Sequence, residues 1–300
     1  MRARQVNGRI EMETNEQFVE SIRAFMQNPN PQIAEPMLAA TVLLIRDSIP
    51  GEGGLRIEDG AYPEEFPGNQ VSEVFMLRRK KSMDFLPDAV AFPGGRVDDR
   101  DSNPHLSWHG PLPAQWGKLL GLSESDARKV VVAAARELFE ETGVLFAGNT
   151  GEDIIKDMSD PLWTEYRKKL VSHELSFADV LIERNLVLRT DLFGLVYNFC
   201  TPPSEKKRFD TFFFSALLPE GQQADGMTSE AQETHWVTPA YAVREADAKR
   251  WLIVPPTMCS LTKLANAESA QAFSKQRTSL KKFIFEPVEK EDGEIRITCG

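Results

Sequence analysis

Residues 133–144 read Ala133-Ala134-Ala135-Arg136-Glu137-Leu138-Phe139-Glu140-Glu141-Thr142-Gly143-Val144. At about 3.6 residues per turn, Glu137, Glu140 and Glu141 fall on one helical face, because positions i, i+3 and i+4 come together. Like charges so placed repel and cost the helix stability. A divalent cation turns that repulsion into attraction, and converging carboxylate oxygens suit Mg²⁺ or Mn²⁺, with water and substrate phosphates completing the octahedron. Gly143 ends the helix as a residue tolerant of left-handed geometry. The same glutamates would also serve as an ordinary solvated helix face, so the flanking sequence decides between the two.

Upstream, Ala89-Val90-Ala91-Phe92 is a short strand that runs into Pro93-Gly94-Gly95-Arg96-Val97-Asp98-Asp99-Arg100-Asp101. Its glycines let the backbone approach a metal or phosphate closely. Met37 to Ile45 and Val71 to Leu77 are apolar, β-branched runs joined by a Gly/Pro-rich loop, and Leu192 to Phe199, Thr211 to Leu218 and Thr234 to Val237 are also strand-like. Helical patterns cover Ser123 to Thr142, Leu162 to Ser172, Phe177 to Arg184, Pro239 to Lys249 and the tail from Thr257 to about Lys281. This order predicts a layered α/β or α+β domain. Glu16 to Gln27 is a short amphipathic helix, with Phe18, Ile22 and Phe25 on one face, stopped by Asn28-Pro29-Asn30-Pro31. The chain is therefore divided into an N-terminal helical segment (1–36), a main domain (37–255) and a helical C-terminal extension and tail (256–300).

The 300 residues carry 45 acidic and 35 basic side chains, a net charge of −10. That balance argues against a general nucleic-acid binder, yet a local basic cluster can still hold a small anion. Hydrophobic and charged fractions of 41% and 27% are those of a soluble globular protein. Cys200, Cys259 and Cys299 form no CxxC pair, which argues against a disulfide framework or zinc knuckle and for a reducing, cytoplasmic setting. MRARQVNGRIEMETNEQ has no apolar run behind its basic residues and so is not read as a secretory signal. No stretch approaches the roughly 18 apolar residues of a membrane span.

Together the Gly95 turn and the Arg136 helix resemble the Nudix box, GX5EX7REUXEEXGU, where U is aliphatic. Arg136 to Val144 matches its second half at every fixed position. The first half departs in having Asp101 where Glu is usual, and in placing Arg136 35 positions after Asp101 where a contiguous box has eight. About 27 residues, near 102–128, are thus inserted. With Pro104, Pro111, Pro113, Trp108 and Trp116, they read as an ordered excursion rather than a flexible linker. A box interrupted at this point is similar to the branch that includes the peroxisomal coenzyme A diphosphatases. Thr201-Pro202-Pro203, Lys207 to Phe214, Leu218 to Gln222, Ser229-Glu230 to Glu233 with Trp236 to Pro239, and Pro255-Pro256-Thr257 extend the resemblance over roughly 37–265.

The resemblance implies a Nudix-type α/β/α sandwich with a mixed β-sheet, an insertion within the box and a helical C-terminal extension. It implies metal-dependent hydrolysis of a nucleoside diphosphate linked to another group, with coenzyme A or acyl-CoA as first candidate and ADP-ribose or NADH as second. A nucleotide-binding protein that has lost hydrolysis is the alternative outside the enzyme class, and the intact Arg136-Glu137-x-x-Glu140-Glu141 argues against it. By position, Glu137, Glu140 and Glu141 would hold Mg²⁺ or Mn²⁺, the Gly95 carbonyl would add a ligand, Glu137 or Glu141 would act on the attacking water, and Arg136 would orient the carboxylates. Substrate phosphates need cations, for which Arg78-Arg79, Arg96 and Arg208 are candidates, Arg208 foremost because it precedes a long apolar strand. Of Glu230 and Glu233, outside the box, Glu233 is the candidate for a further acidic group. The Trp108 to Trp116 insertion would wall a groove for a pantetheine arm, or simply pack. His235 beside Trp236 is a candidate to stack near a base, whereas His105, His109 and His173 read as solvated or locally bonded. The expected partner is a small nucleotide-diphosphate molecule, with no nucleic-acid polymer and no membrane, and the oligomeric state is left open between monomer and homodimer.

Overall fold

The computed structural model describes residues 3–6, 9–13, 16–48, 54–58, 62–63, 72–83 and 85–299. At its centre lies Met37–Asp47, whose apolar side chains alternate between two cores. Ala40, Val42 and Leu44 enter one, and Leu43 and Ile45 the other. A strand covered on both faces needs such a continuous apolar run. The sheet runs in the order Ala231–Val237, Ser72–Arg79, Met37–Asp47, Phe209–Leu217, Phe193–Cys200, Lys282–Ile284, with Val90–Ala91 added to Ser72–Arg79 and Gly94–Arg96 to Met37–Asp47. It is mixed: Met37–Asp47 is parallel to Phe209–Leu217, and Lys282–Ile284 to Phe193–Cys200, while the other pairings are antiparallel. The strands expected from sequence are present with ends shifted by a few residues. Val71, and most of the Gly/Pro-rich connection before it, lie outside the described residues.

The helix bearing the acidic cluster spans Glu124–Thr142, capped by Ser123, whose Oγ accepts from the Asp126 amide at 3.1 Å, and closed by Gly143 at φ 75°. Ala133, Ala134 and Ala135 are fully buried, and their small side chains let the helix approach the sheet beside Val42, Phe212 and Phe214. Against the opposite face pack Pro239–Asp247, Pro255–Ala265 and Ala270–Ser274, together with Ile22 of Glu16–Gln27. Phe25 of that helix is half-buried, and the side chain of Phe18 lies outside the described ones. Among the described residues, no helix is long and apolar enough to cross a membrane.

The insertion folds as a 3₁₀ turn at Asp99–Ser102, a two-residue strand Trp108–His109 and a helix Pro113–Leu120. Trp108–His109 pairs with Val187–Arg189, which pairs in turn with Ala147–Gly148. Trp116 is fully buried edge-on to Phe214 at 6.0 Å. Trp108 donates from Nε1 to the Pro111 carbonyl at 2.7 Å and carries the Arg128 guanidinium 5.5 Å from its ring. Both tryptophans therefore pack the fold, and neither walls a groove.

The ends of the chain depart furthest from the expectation of helix alone. After Ala270–Ser274 the tail forms strands Lys282–Ile284, Glu286–Glu289 and Ile295–Cys299, and ahead of Glu16–Gln27 stand strands Ala3–Val6 and Arg9–Glu13. They join in one four-stranded sheet ordered Ala3–Val6, Arg9–Glu13, Ile295–Cys299, Glu286–Glu289. The physical reason is period-2 alternation in the tail, which turns Ile295, Ile297 and Cys299 inward to the second core. Short alternating runs of this kind carry little signal until a partner strand is known.

Candidate active site

Gly94–Arg96 pairs with Ala39–Thr41, and this brings the first half of the interrupted box against the helix that carries the second. The contact is too close for a side chain. A Cβ on Gly95 would stand 2.4 Å from Glu137 Oε1, and one on Gly94 would stand 2.5 Å from the Ala40 carbonyl oxygen. The Gly94 amide donates to Glu141 Oε2 at 2.8 Å.

Arg136 sits at the hub. Its Nε and Nη2 donate to the two carboxylate oxygens of Asp101 at 2.9 and 3.2 Å, Nη1 to Glu137 Oε1 at 2.7 Å and to Glu140 Oε1 at 3.4 Å, and Nη2 also to the Arg96 carbonyl at 2.9 Å. Asp101 is held for this by its own turn, in which Asp101 Oδ2 accepts from the Asp98 amide at 2.9 Å. The residues inserted between Asp101 and Arg136 thus leave and return without separating the two halves of the box.

Burial dominates the electrostatics. It pushes the Glu137 carboxyl up to about 7, against the pull of Arg136 and with help from Glu140 and Glu230. Glu141 is raised further by burial, then by the charges of Glu137 and Glu230, with only the Gly94 amide and Arg79 opposing. Glu140 is raised by burial and held back by Arg136. Burial opposes the charge of Arg136, but Glu137, Asp101 and Glu140 outweigh it and keep the guanidinium firmly protonated. Three crowded carboxylates of raised pKa form a donor set that a hard divalent cation would relieve. The chemistry fits such an ion. Among the described residues, however, no three acidic, imidazole or thiol groups already converge as a finished cage, since Glu137 and Glu140 are turned toward Arg136 and Glu141 toward Gly94.

These groups border a cleft of about 540 Å³, whose lining also includes apolar and aromatic side chains such as Phe199, Phe213 and Phe285. Arg79, Arg96, Glu230, His173 and Lys207 also border it. Arg78 does not, because neighbouring strand residues face opposite ways. It is spent on a two-point pair with Asp88 at 2.8 and 3.1 Å and on Glu233 at 3.1 Å. Glu233 is thereby held away from the carboxylate cluster, and Glu230 is the acidic side chain beside it. Arg208 is buried and donates to the carbonyls of Thr201 at 3.0 Å and Ala34 at 2.8 Å, with Cys200 Sγ at 3.5 Å, so its guanidinium braces the chain rather than facing the cleft. His235 stacks on Trp251 with centroids 6.2 Å apart, outside the cleft.

The sequence reading prefers Glu233 to Glu230 and gives His173 no place at the site. Glu230 stands just ahead of the strand Ala231–Val237, and a register shift between Ala231 and Glu233 means that simple alternation could not choose between the two glutamates. His173, at φ 61° just past Pro161–Val171, bonds Arg100 through Nδ1 and carries no local signal of its place.

No family model matches the chain. It is 29% identical to the Caenorhabditis elegans protein named "Putative nudix hydrolase 7" over 233 residues, 75% of this chain and 66% of that protein. It is 23% identical to acyl-coenzyme A diphosphatase NUDT19 of Xenopus laevis over 239 residues, 67% of this chain and 63% of that protein. The chain therefore spans just under two thirds of the length of these relatives. The crystal structure of a Nudix hydrolase from Alicyclobacillus acidocaldarius superimposes with a TM-score of 0.64 at 22% identity, covering 83% of this chain and all of that one. A mixed sheet, a glycine turn seated on an acidic helix and these likenesses define the class, a Nudix-fold protein. The chain is similar in sequence to Nudix hydrolases, and its likeness extends to an acyl-coenzyme A diphosphatase.

Proposed function

We propose that the chain hydrolyses the diphosphate bond of a nucleoside-diphosphate-linked molecule with Mg²⁺ or Mn²⁺, and that coenzyme A or acyl-CoA is its substrate. The observation that carries this reading is that one cleft is lined both by the carboxylate cluster and by apolar, aromatic side chains. A substrate that unites a diphosphate with a long, weakly polar arm matches both halves, and coenzyme A is such a molecule. The name of the Xenopus relative supports the same substrate class.

Glu137, Glu140 and Glu141 would hold the metal, and the Gly95 backbone beside Glu137 would approach it. A bound divalent ion neutralises diphosphate oxygens and lowers the pKa of its water. Arg136 fixes the facing carboxylates and Asp101 fixes Arg136. Glu137 or Glu141 would take a proton from the attacking water. Arg79, which also pairs with Glu230 at 3.7 Å, Arg96 and Lys207 border the cleft as cations for substrate phosphates. The products would be 4′-phosphopantetheine, free or acylated, and adenosine 3′,5′-bisphosphate. The buried thiols of Cys200, Cys259 and Cys299, none of them in a disulfide, suit a reducing, cytoplasmic setting.

The test compares kcat/KM for coenzyme A, dephospho-coenzyme A, NADH and ADP-ribose with Mg²⁺ or Mn²⁺. Coenzyme A should lead. A tenfold advantage for NADH or ADP-ribose, about 1.4 kcal/mol in transition-state binding, contradicts the substrate reading while leaving the diphosphatase reading intact.

A further inference from the structure

The apolar part of the cleft lining includes residues outside the stretch that resembles the coenzyme A branch. Ile22, Phe199, Phe213, Phe285 and Ile297 all border the cleft, yet they are only 2–7% exposed. Where they border it, the cleft meets the second core rather than solvent. Phe199 and Phe213 belong to the main sheet. Ile22 comes from the N-terminal helix, whereas Phe285 and Ile297 come from the C-terminal strands and the link between them.

This end wall is braced. Phe285 stacks on Phe199 at 5.5 Å with ring planes 10° apart, and Phe199 meets Phe213 edge-on at 5.6 Å. Arg23, next to Ile22, donates to the Gly293 carbonyl at 3.0 Å in the turn between Glu286–Glu289 and Ile295–Cys299. Ser21 donates to Glu205, a residue of the cleft border, at 3.4 Å. The carboxylate cluster is assembled from residues 94–141 and needs none of these terminal groups. Their contribution to the cleft is its length.

We infer that the terminal segments, through Ile22, Phe285 and Ile297, form the end stop that sets how long an apolar chain on the substrate is accepted, and that this chain is the acyl group of an acyl-CoA. The inference rests on the coenzyme A reading for the nature of the chain. An open groove accepts any length, since surplus methylenes pass into solvent. A blind, close-packed end rewards each methylene that reaches it and rejects those beyond, because packed interiors resist added volume. The thioester is not cleaved, so the acyl chain leaves on the phosphopantetheine product.

The test measures kcat/KM for coenzyme A and for saturated acyl thioesters of increasing length in wild type, Phe285→Ala and Ile22→Phe, with melting temperatures recorded alongside. Phe285→Ala should move the optimum to longer chains and raise the long-to-short ratio about tenfold, the worth of roughly two buried methylenes. Ile22→Phe should lower that ratio by a similar factor. If either protein fails to fold, Phe285→Leu and Ile297→Val should each raise the ratio about threefold. Ratios within twofold of wild type in the folded variants overturn the inference, as does an equal change in kcat/KM for free coenzyme A. Should wild type cleave no coenzyme A compound, alkyl esters of ADP supply the same series without pantetheine. A length cut-off that Phe285→Ala shifts then keeps the end stop while the coenzyme A reading falls, and indifference to length overturns the end stop.

Discussion

Asp101 and Arg136, 35 residues apart in sequence, form a buried two-point ion pair, with Asp101 2% exposed. Breaking one side leaves an uncompensated charge at the hub of the carboxylate cluster. Asp101→Ala should cost about 3 kcal/mol of stability, as removing one partner of a buried pair does, and should also lower kcat by releasing Arg136 from Glu137. Denaturant titration and steady-state kinetics on the same preparation check both, and a variant within about 0.5 kcal/mol of wild type would show the pair to be unimportant.

Glu141→Gln keeps the shape of the side chain and its bond from the Gly94 amide while removing its charge. The proposed mechanism expects kcat/KM to fall by two or more orders of magnitude, on the order of 3 kcal/mol of transition-state stabilisation, with the fold unchanged by circular dichroism. Retained activity in that folded variant, or full activity of wild type in excess chelator, contradicts the metal assignment.

The raised pKa of Glu137 links stability to pH. Its carboxyl moves from an ordinary 4.5 to about 7 on folding, so between those values the native protein holds a proton that the unfolded chain has lost. That contribution to stability is fully present below pH 4.5 and disappears as pH rises through 7. A metal binds the deprotonated form, so it should raise the melting temperature more at about pH 8 than at about pH 6. Thermal melts with saturating Mg²⁺ and with chelator at both pH values make the comparison, and an equal gain at both runs against it.

Arg208 and Arg79 should behave oppositely. Arg208→Met orphans the carbonyls of Thr201 and Ala34 and should lower the melting temperature, with kcat/KM of the folded enzyme within about threefold of wild type. Arg79→Met removes a cation from the cleft wall and should raise KM about tenfold or more. A pattern reversed between the two would return Arg208 to the substrate.

Much of the centre of this fold was legible because its signals are local. The glutamate spacing, the Gly94-Gly95 turn and the apolar runs of Met37–Asp47 and Phe209–Leu217 declare their elements without reference to anything distant. What was not legible depends on pairing. Arg78 and Arg79 look alike in sequence, and only the strand's orientation decides that Arg79 faces the cleft while Arg78 is taken by Asp88 and Glu233. Arg208 owes its place to the Ala34 carbonyl, far away in the chain, and the tail strands exist only because Arg9–Glu13 lies alongside to complete their sheet.

The pairing of Ile10 with Cys299 spans almost the entire chain. Contacts of such high sequence separation are the slowest to form, because the intervening chain must first be ordered. On a ribosome the strand Arg9–Glu13 is made well before Ile295–Cys299 and has to wait for it before it finds that neighbour. The core can assemble in the interval, as its own strands pair within residues 37–237. Completion of the molecule is thus staged, and the interval before the ends meet is when this chain most needs protection from pairing with another strand's edge.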